Sequence, residues 1–181
     1  MADKIPRIAE FYKVSFSEYE KTYRERVDKN ISDEALLKIY EDIKLPKRAT
    51  TGSAGYDFYA PFDFTLDSMN EIYLPLGIRA KMEIGWVLQL FPRSGLGSKY
   101  RLQLNNTTGI IDSDYFDAEN EGHIMCTVAN CSFDKNKILE VKKGDGLLQG
   151  VFLQYGITLS DDDSTLNKRV GGFGSTDKQN L

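Results

Sequence analysis

The 181-residue sequence contains few of the residues on which several kinds of protein site depend. It has two cysteines, Cys126 and Cys131, and one histidine, His123, without the spacing of a metal site. We therefore expect neither a structural zinc site nor a disulfide framework, and both thiols are predicted to be reduced. A single histidine without an acid or cysteine partner at useful spacing is more often structural than catalytic. Any general base is therefore expected to be a carboxylate.

The sequence also lacks long apolar runs and an excess of positive charge. No stretch of 18 apolar residues occurs, so a membrane-spanning helix is not expected. The first residues, MADKIPRIAEFYK, lack the apolar core of a signal peptide, which makes the cytoplasm the expected location. The formal net charge of −4 argues against a nucleic-acid surface, although a few local cations would suffice for a small anionic ligand.

The residues that are present suit one domain spanning residues 1–181, with 41% hydrophobic and 28% charged residues. Residues 7–16 predict a strand. From residue 50, short apolar runs alternate with Gly, Pro, Asn and Asp turns, which is typical of a β-sandwich or barrel. Residues 94–100 predict a short helical turn. Residues 156–181 lose the apolar pattern and predict a flexible C-terminal arm.

Residues 17–44 predict a helical hairpin before this β-rich part. Ser17 and Glu20, in the stretch SEYE, have the spacing of a capping box that would begin the first helix. Ser32 is expected to cap the second helix and Pro46 to stop it. Apolar residues at helical spacing predict the buried faces, namely Tyr19, Tyr23 and Val27 in the first helix and Ala35, Leu36, Ile39, Tyr40 and Ile43 in the second.

Five short stretches carry polar residues that a purely structural role does not explain. The second places Arg93 and Ser94 where a turn enters a short helix, a combination suited to binding an anion. The third combines amides, acids and a tyrosine, which suits a small polar ligand. In chain order the five read AGYDFYA (54–60), PRSGLGSK (92–99), NNTTGIIDSDY (105–115), KGDGLLQG (143–150) and RVGGFGST (169–176).

In order and spacing, these five stretches resemble the motifs of the trimeric dUTP pyrophosphatases, or dUTPases, and LPKRAT (45–50) is similar to the family as well. The resemblance implies a mainly β subunit with a distorted jelly-roll or β-clip fold, in which the helical hairpin would be an insertion. It also implies a homotrimer with active sites shared between subunits. Such an enzyme hydrolyses dUTP to dUMP and pyrophosphate with Mg²⁺, which limits uracil incorporation into DNA and supplies dUMP for thymidylate synthesis.

The resemblance gives a role to each motif residue. Asp112 would orient and activate the attacking water, and Tyr115 would stack under the deoxyribose and disfavour a 2′-hydroxyl. Asn106 and the backbone around Gly109 would read the uracil edge. Phosphates would be held by Arg93, Ser94, Gly95 and Gln149, and the arm would contribute Arg169, Phe173, Gly174, Ser175 and Thr176.

Within the arm, the resemblance places Phe173 over the uracil, with Ser175 and Thr176 at the γ-phosphate. Mg²⁺ usually keeps several waters and binds substrate phosphates, so no direct protein ligand is expected. Asp57 would take part through a water or have a structural role. Because an aspartate is a weak base, most of the catalysis is expected from positioning the water and neutralising charge.

The sequence departs from the family pattern at several positions. Gly146 stands where the fourth motif normally carries an arginine. In the fifth motif Lys168 occupies the usual arginine position and Arg169 follows it, so either residue could bind phosphate. Asp177 replaces the glycine that often follows the serine–threonine pair. The segment FDAENE, residues 116–121, is longer than the usual short turn.

Two other functions fit parts of the sequence. The dCTP deaminases share the fold class and the Arg–Ser turn, but they carry a glutamate on the strand after the third motif. The corresponding stretch here, HIMCTVANC (123–131), has none. The other alternative is a dUTPase-like regulatory module that binds proteins, with the helical hairpin as its contact surface. A non-catalytic module would be expected to lose Asp112 or Tyr115, and both are present.

Overall fold

The computed structural model describes residues 5–162 and Ser164, and its framework is a set of antiparallel strands. The helices are α1 (Phe16–Arg26), α2 (Asp33–Glu41) and α3 (Ser94–Tyr100), with a 3₁₀ helix at Ser113–Asp117. The strands are β1 (Ala9–Lys13), β2 (Lys47–Arg48), β3 (Tyr56–Tyr59), β4 (Phe64–Leu66), β5 (Glu71–Met82), β6 (Trp86–Pro92), β7 (Leu102–Leu104), β8 (Gly109–Ile111), β9 (Ile124–Asn130), β10 (Leu139–Val141) and β11 (Gly146–Gln154).

The strands of the described residues form a four-stranded sheet β1-β5-β9-β7, a five-stranded sheet β2-β3-β11-β6-β8 and a two-stranded pair β10-β4. This arrangement confirms the predicted mainly β fold. Strand β5 is buried continuously from Leu74 to Ile78, unlike a strand with one solvated face. Helix α1 packs against this strand, with the ring of Tyr19 beside Gly77.

The start of α1 differs from the predicted capping box. Ser15 is the N-cap, and its hydroxyl accepts the N–H of Glu18 at 3.2 Å. Ser17 lies inside the helix and is exposed, and Glu20 pairs with Arg24 at 2.9 Å, so the Ser17–Glu20 box is wrong. The reason is a distant contact, because the carboxylate of Glu121 accepts hydrogen bonds from both the N–H and the hydroxyl of Ser15.

Helix α2 begins as predicted, with the Ser32 hydroxyl accepting the N–H of Ala35 at 3.2 Å. The helix ends at Glu41, so it stops before Pro46 is reached. Leu36 is fully buried, whereas Ala35 is exposed, and the apolar face is therefore narrower than predicted.

The structure also shows the state of β1, α3, the two cysteines and the histidine, for which the sequence made predictions. The strand expected at residues 7–16 is the shorter β1, and the helical turn at 94–100 is α3. Both cysteines are free and half-buried. His123 is fully buried and its Nε2 accepts the N–H of Gly77 at 3.0 Å, which is a structural role. No helix in the described part of the chain is long and apolar enough to cross a membrane.

Candidate functional site

Three of the sequence motifs meet on neighbouring strands of the five-stranded sheet. Asp57 of β3 lies opposite Gln149 of β11, and Gln149 lies opposite Phe91 of β6. Arg93 follows β6 directly, and its Nε is 3.5 Å from Oδ1 of Asp57. Facing residues of antiparallel strands are close neighbours. The strand register therefore brings together a carboxylate, a guanidinium and an amide from distant parts of the sequence.

In the ion pair between Asp57 and Arg93, the aspartate is half-buried and the arginine is exposed. The Asp57 side chain is 14% exposed and the Arg93 side chain 45% exposed. The carboxylate therefore orients the guanidinium, while the remaining N–H donors stay accessible to a ligand. Gln149 is exposed beside this pair. A Cβ built on Gly55 would come within 2.3 Å of Gln149 Cδ, so glycine in the first motif makes room for this amide.

Gly146 lies directly beside Arg93. Arg93 Nη1 is 3.5 Å from the Gly146 carbonyl oxygen, and a Cβ on Gly146 would come within 2.2 Å of the same nitrogen. The guanidinium of Arg93 therefore occupies the space that a side chain at position 146 would need.

The first turn of α3 supplies backbone donors next to this guanidinium. The N–H groups of Leu96 and Gly97 donate to the Arg93 carbonyl at 3.0 and 2.9 Å. The preceding N–H groups, of Ser94 and Gly95, belong to the part of a helix that has no intrahelical acceptor. Both residues are exposed, as is the Ser94 hydroxyl that the sequence assigns to phosphate binding.

A second group of predicted residues lines a cavity of about 470 Å³. Asn106 comes from the turn between β7 and β8, where Thr107 has a left-handed backbone with φ of 69°, and Gly109 is the first residue of β8. Gly109 pairs with Leu90 of β6, and a Cβ at this position would be 3.1 Å from Leu90 Cβ. Apolar walls with a polar backbone edge are typical of a small-molecule pocket. The apolar lining includes Leu90, Leu104, Ile111 and Cys126.

Asp112 and Tyr115 follow this cavity in the chain. Asp112 is exposed, comes directly after the cavity residue Ile111 and occupies the N-cap position of the 3₁₀ helix without a side-chain capping hydrogen bond. Tyr115 is 2% exposed, and its hydroxyl donates to the His123 carbonyl and accepts from Asn120 Nδ2, both at 2.7 Å. In this conformation the ring has little free surface, so its stacking under a sugar stays a prediction that requires the ring to be uncovered.

The cavity has further lining residues that sequence reasoning missed. Lys21 and Arg26 come from α1, Tyr73 from β5, and Glu119 and Asn120 from the segment 116–121. The guanidinium of Arg26 lies 4.7 Å from the centre of the Tyr73 ring. A sequence signal existed, because Glu18, Thr22 and Arg26 have the spacing of one helix face. These three polar residues lie outside the apolar stripe from which the buried face of this helix is predicted.

Tyr73 presents a neutral phenol to the cavity at ordinary pH. Burial raises the pKa of Tyr73 to about 12, although the nearby charge of Arg26 acts in the opposite direction. Its hydroxyl donates to Met125 Sδ at 2.7 Å. Burial likewise raises the pKa of the Cys126 thiol to about 12, so this cysteine is a neutral part of the wall.

We call the cluster of Arg93, Ser94, Gly95 and Gln149 the anion-binding group. None of Arg93, Ser94, Gly95 and Gln149 is among the described residues that line the cavity. Arg93 lies three residues beyond Leu90, which is about 10 Å in an extended chain. Lys168 and the predicted arm residues lie outside the described residues, namely Arg169, Phe173, Gly174, Ser175 and Thr176.

Within residues 5–162 and Ser164, no three His, Cys, Asp or Glu side chains are grouped so that they could hold a metal ion. Asp57 offers a single carboxylate beside the Arg93 guanidinium. A magnesium ion commonly binds through one or two carboxylates and the phosphates of its substrate. The described residues fit an ion held in that way.

In sequence, the chain is similar to known proteins. A family model described as dUTPase matches residues 41–177. The chain is 37% identical over 135 residues to a deoxyuridine 5'-triphosphate nucleotidohydrolase from Lactococcus lactis, covering 74% of this chain and 88% of the relative. A protein of the same name from Dictyoglomus turgidum is 36% identical over 146 residues, covering 77% and 94%.

In its fold, the chain is similar to solved structures of dUTPases. The crystal structure of a dUTPase from Streptococcus mutans has 29% sequence identity and a TM-score of 0.58, over 82% of this chain and 97% of that chain. A dUTPase from phage phi11 of S. aureus, described with a structural Mg(II) ion, has a TM-score of 0.59 at 16% identity, over 87% and 97%. These similarities confirm the jelly-roll-like fold.

Proposed function

Since the chain belongs to the dUTPase family, we propose a role for each of its motif residues in the reaction of that family. The protein hydrolyses dUTP to dUMP and pyrophosphate. In this reaction water adds to the α-phosphorus and the bond between the α- and β-phosphates breaks. The observation that carries the function is the family match over residues 41–177, which includes all five motifs.

The group formed by Arg93, Ser94, Gly95 and Gln149 is proposed to hold the phosphates. In support, it presents an exposed guanidinium, hydroxyl and amide beside the backbone N–H groups of a helix start. Asp57 fixes the guanidinium in place before the substrate arrives. Donors held in position in this way stabilise negative charge that develops on a transferred phosphoryl group without reorganising first.

The cavity at Asn106 and Gly109 is proposed to bind the nucleoside. Its polar edge at the β7–β8 turn would read the uracil, and its apolar walls would cover the faces of the base. Tyr115 is proposed to support the deoxyribose once its ring is uncovered.

Asp112 is proposed to orient and activate the attacking water. It is exposed at the end of β8, next to the cavity wall, where its carboxylate can accept a proton from water. Because an aspartate is a weak base, Asp112 would act mainly by holding the water in line with the phosphorus. The arm residues Arg169, Phe173, Gly174, Ser175 and Thr176 are proposed, from their motif alone, to close over the bound nucleotide.

Magnesium is proposed as the cofactor, held by the substrate phosphates and waters, with Asp57 in contact through a water at most. When bound, the ion neutralises charge on the phosphates. The chain is also proposed to form a homotrimer whose active sites are shared between subunits. This proposal follows from the family to which the chain belongs.

The proposed role of Asp112 is tested by measuring pyrophosphate release from dUTP. Asp112→Asn keeps the size of the side chain but removes the proton acceptor, and should lower kcat by about a hundredfold or more. Asp114→Asn is the matched control, because Asp114 is exposed on the same 3₁₀ helix. Equal kcat values for wild type and Asp112→Asn would refute the assignment.

A further inference from the structure

Two features that set this chain apart from the family pattern pack against each other. Helix α1 lies before the matched residues 41–177, and the segment 116–121 is longer than the usual turn. Glu121 accepts from the Ser15 N–H at 2.8 Å and from the Ser15 hydroxyl at 2.6 Å. Arg79 donates to the Phe116 carbonyl at 2.5 Å and lies 3.6 Å from the centre of the Phe116 ring. The two segments therefore form one unit, which we call the accessory wall.

One face of α1 attaches this wall to the sheet. Glu18 is 9% exposed and lies 3.5 Å from Nδ1 of the buried His123. Thr22 donates to Glu18 at 3.0 Å, and Arg26 lies over the Tyr73 ring. Because these side chains follow one another at a spacing of four, they share one face of α1, on which Arg26 is exposed.

The accessory wall reaches the cavity proposed for the nucleoside. Lys21 and Arg26 on one side, and Glu119 and Asn120 on the other, line the same cavity as Asn106. Two cations and one carboxylate give these lining residues a positive balance. Lysine and arginine side chains can only donate hydrogen bonds, so they favour ligand groups that accept.

Of the two cations, Arg26 is the one whose charged group is held against an aromatic ring of the cavity wall. Its guanidinium rests on the face of Tyr73, and the Tyr73 hydroxyl is directed to Met125. Stacking on an aromatic face holds a guanidinium in one orientation while its N–H edge stays available.

From these contacts we propose that Arg26, supported by Lys21, is a specificity-determining residue that selects a pyrimidine with two carbonyl groups. This inference rests on the proposed function of the cavity. Uracil and thymine present two carbonyl acceptors, whereas cytosine replaces one of them with an amino donor. A cationic donor at the base edge therefore disfavours cytosine and treats thymine and uracil alike.

The test is steady-state kinetics of pyrophosphate release with dUTP, dTTP and dCTP. Arg26→Ala should raise the KM for dUTP about tenfold with kcat little changed, since a hydrogen bond from a charged group is lost. The ratio of kcat/KM between dUTP and dCTP should fall, and the ratio between dUTP and dTTP should stay constant. Arg26→Lys, which keeps the charge, should be intermediate.

Lys29→Ala is the matched control, since Lys29 is an exposed cation just beyond α1 and does not line the cavity. It should leave all three substrates unchanged. Binding of dUMP by calorimetry gives a second measure, and its Kd should rise with the KM in Arg26→Ala.

An equal loss for dUTP, dTTP and dCTP would place Arg26 at the sugar or phosphates and overturn the proposal, as would unchanged kinetics. These failures are distinct from failure of the proposed function, in which the wild-type enzyme itself would release no pyrophosphate from dUTP.

Discussion

Arg93 shows how a single functional side chain depends on its neighbours in this molecule. Its guanidinium lies between the carboxylate of Asp57 and the backbone of Gly146. The sequence indicates a missing cation at position 146, where the family normally has an arginine. The structure adds a positive reason for glycine, because the Arg93 guanidinium fills the space that another side chain would take.

Gly146→Ala should push the Arg93 guanidinium away from Asp57 and raise the KM for dUTP several-fold. Stability should change little, since the crowded atoms are the end of a flexible side chain. The measurement is steady-state kinetics together with a denaturant titration. Gly156→Ala is the control, because a Cβ there meets no atom within 4 Å. If the KM is the same in Gly146→Ala and wild type, position 146 does not set the place of Arg93.

At the scale of secondary-structure elements, α1 depends on both local and distant contacts. Its N-cap Ser15 serves the first turn of the helix and also donates twice to Glu121, which is 106 residues away. The helix and the segment 116–121 are therefore coupled. A substitution at Ser15 should weaken the packing of the segment, and a substitution at Glu121 should weaken the start of the helix.

Ser15→Ala should lower the free energy of unfolding by about 1 kcal/mol or somewhat more, because the helix loses its cap and Glu121 loses a donor. Ser17→Ala should lower it by less, since Ser17 is exposed within the helix and loses only the 2.9 Å hydrogen bond between its hydroxyl and that of Ser15. Denaturant titrations of both variants decide the matter. If Ser17→Ala lowered the free energy of unfolding more than Ser15→Ala does, the result would support the capping box predicted for Ser17 and Glu20.

The Glu121 contact also makes stability depend on pH. Burial raises the pKa of Glu121, but the two hydrogen bonds from Ser15 and the charge of Arg79 outweigh it and hold the pKa below its ordinary value. A lowered pKa stabilises the fold above the pKa of the unfolded chain, about 4.3, and this contribution is lost as the pH falls through the folded value.

Wild type should therefore be more stable than Glu121→Gln at pH 7, and the difference should shrink below about pH 4. The measurement is the free energy of unfolding of both proteins between pH 3 and pH 7. A difference that stays constant to pH 3 would show that the charge of Glu121 has no part in this contact.

Features that depend on one turn of the chain were predictable from the sequence, and features that depend on distant contacts were not. The Ser32 cap was predictable because it acts within one turn of the chain, and the Ser15 cap was not, because it depends on Glu121. The motif residues around Arg93 were identified from a resemblance, but only the strand register shows that Asp57 faces Gln149. The spacing of Glu18, Thr22 and Arg26 indicates one helix face, but whether that face reaches the cavity depends on how α1 packs on β5, which local patterns do not encode.

At the scale of the whole molecule, the homotrimer with shared active sites is a proposal that follows from the family of this chain. Within the described residues of one chain, the anion-binding group and the nucleoside cavity share no residue, and Arg93 follows the cavity residue Leu90 by three positions. A nucleoside triphosphate must contact both groups at once. A homotrimer with shared sites would bring the cavity of one chain to the phosphate-binding group of another.

Mixing two inactive variants tests this sharing. Asp112→Asn damages the cavity side of the site, and Arg93→Ala damages the phosphate side. When the two proteins are unfolded together and refolded, mixed oligomers should regain activity, because some sites combine an intact Asp112 with an intact Arg93. If both residues act within one chain, every site keeps one defect and the mixture stays as inactive as its parents.

The substrate preference of the wild-type protein shows whether this chain is a dUTP diphosphatase. Pyrophosphate release would be measured with Mg²⁺ and each of dUTP, dCTP, dTTP and UTP. A dUTP diphosphatase should have a kcat/KM for dUTP that exceeds the kcat/KM for each of the other three nucleotides by at least about a hundredfold. Equal rates on all four nucleotides, or release of ammonia from dCTP in place of pyrophosphate from dUTP, would contradict it.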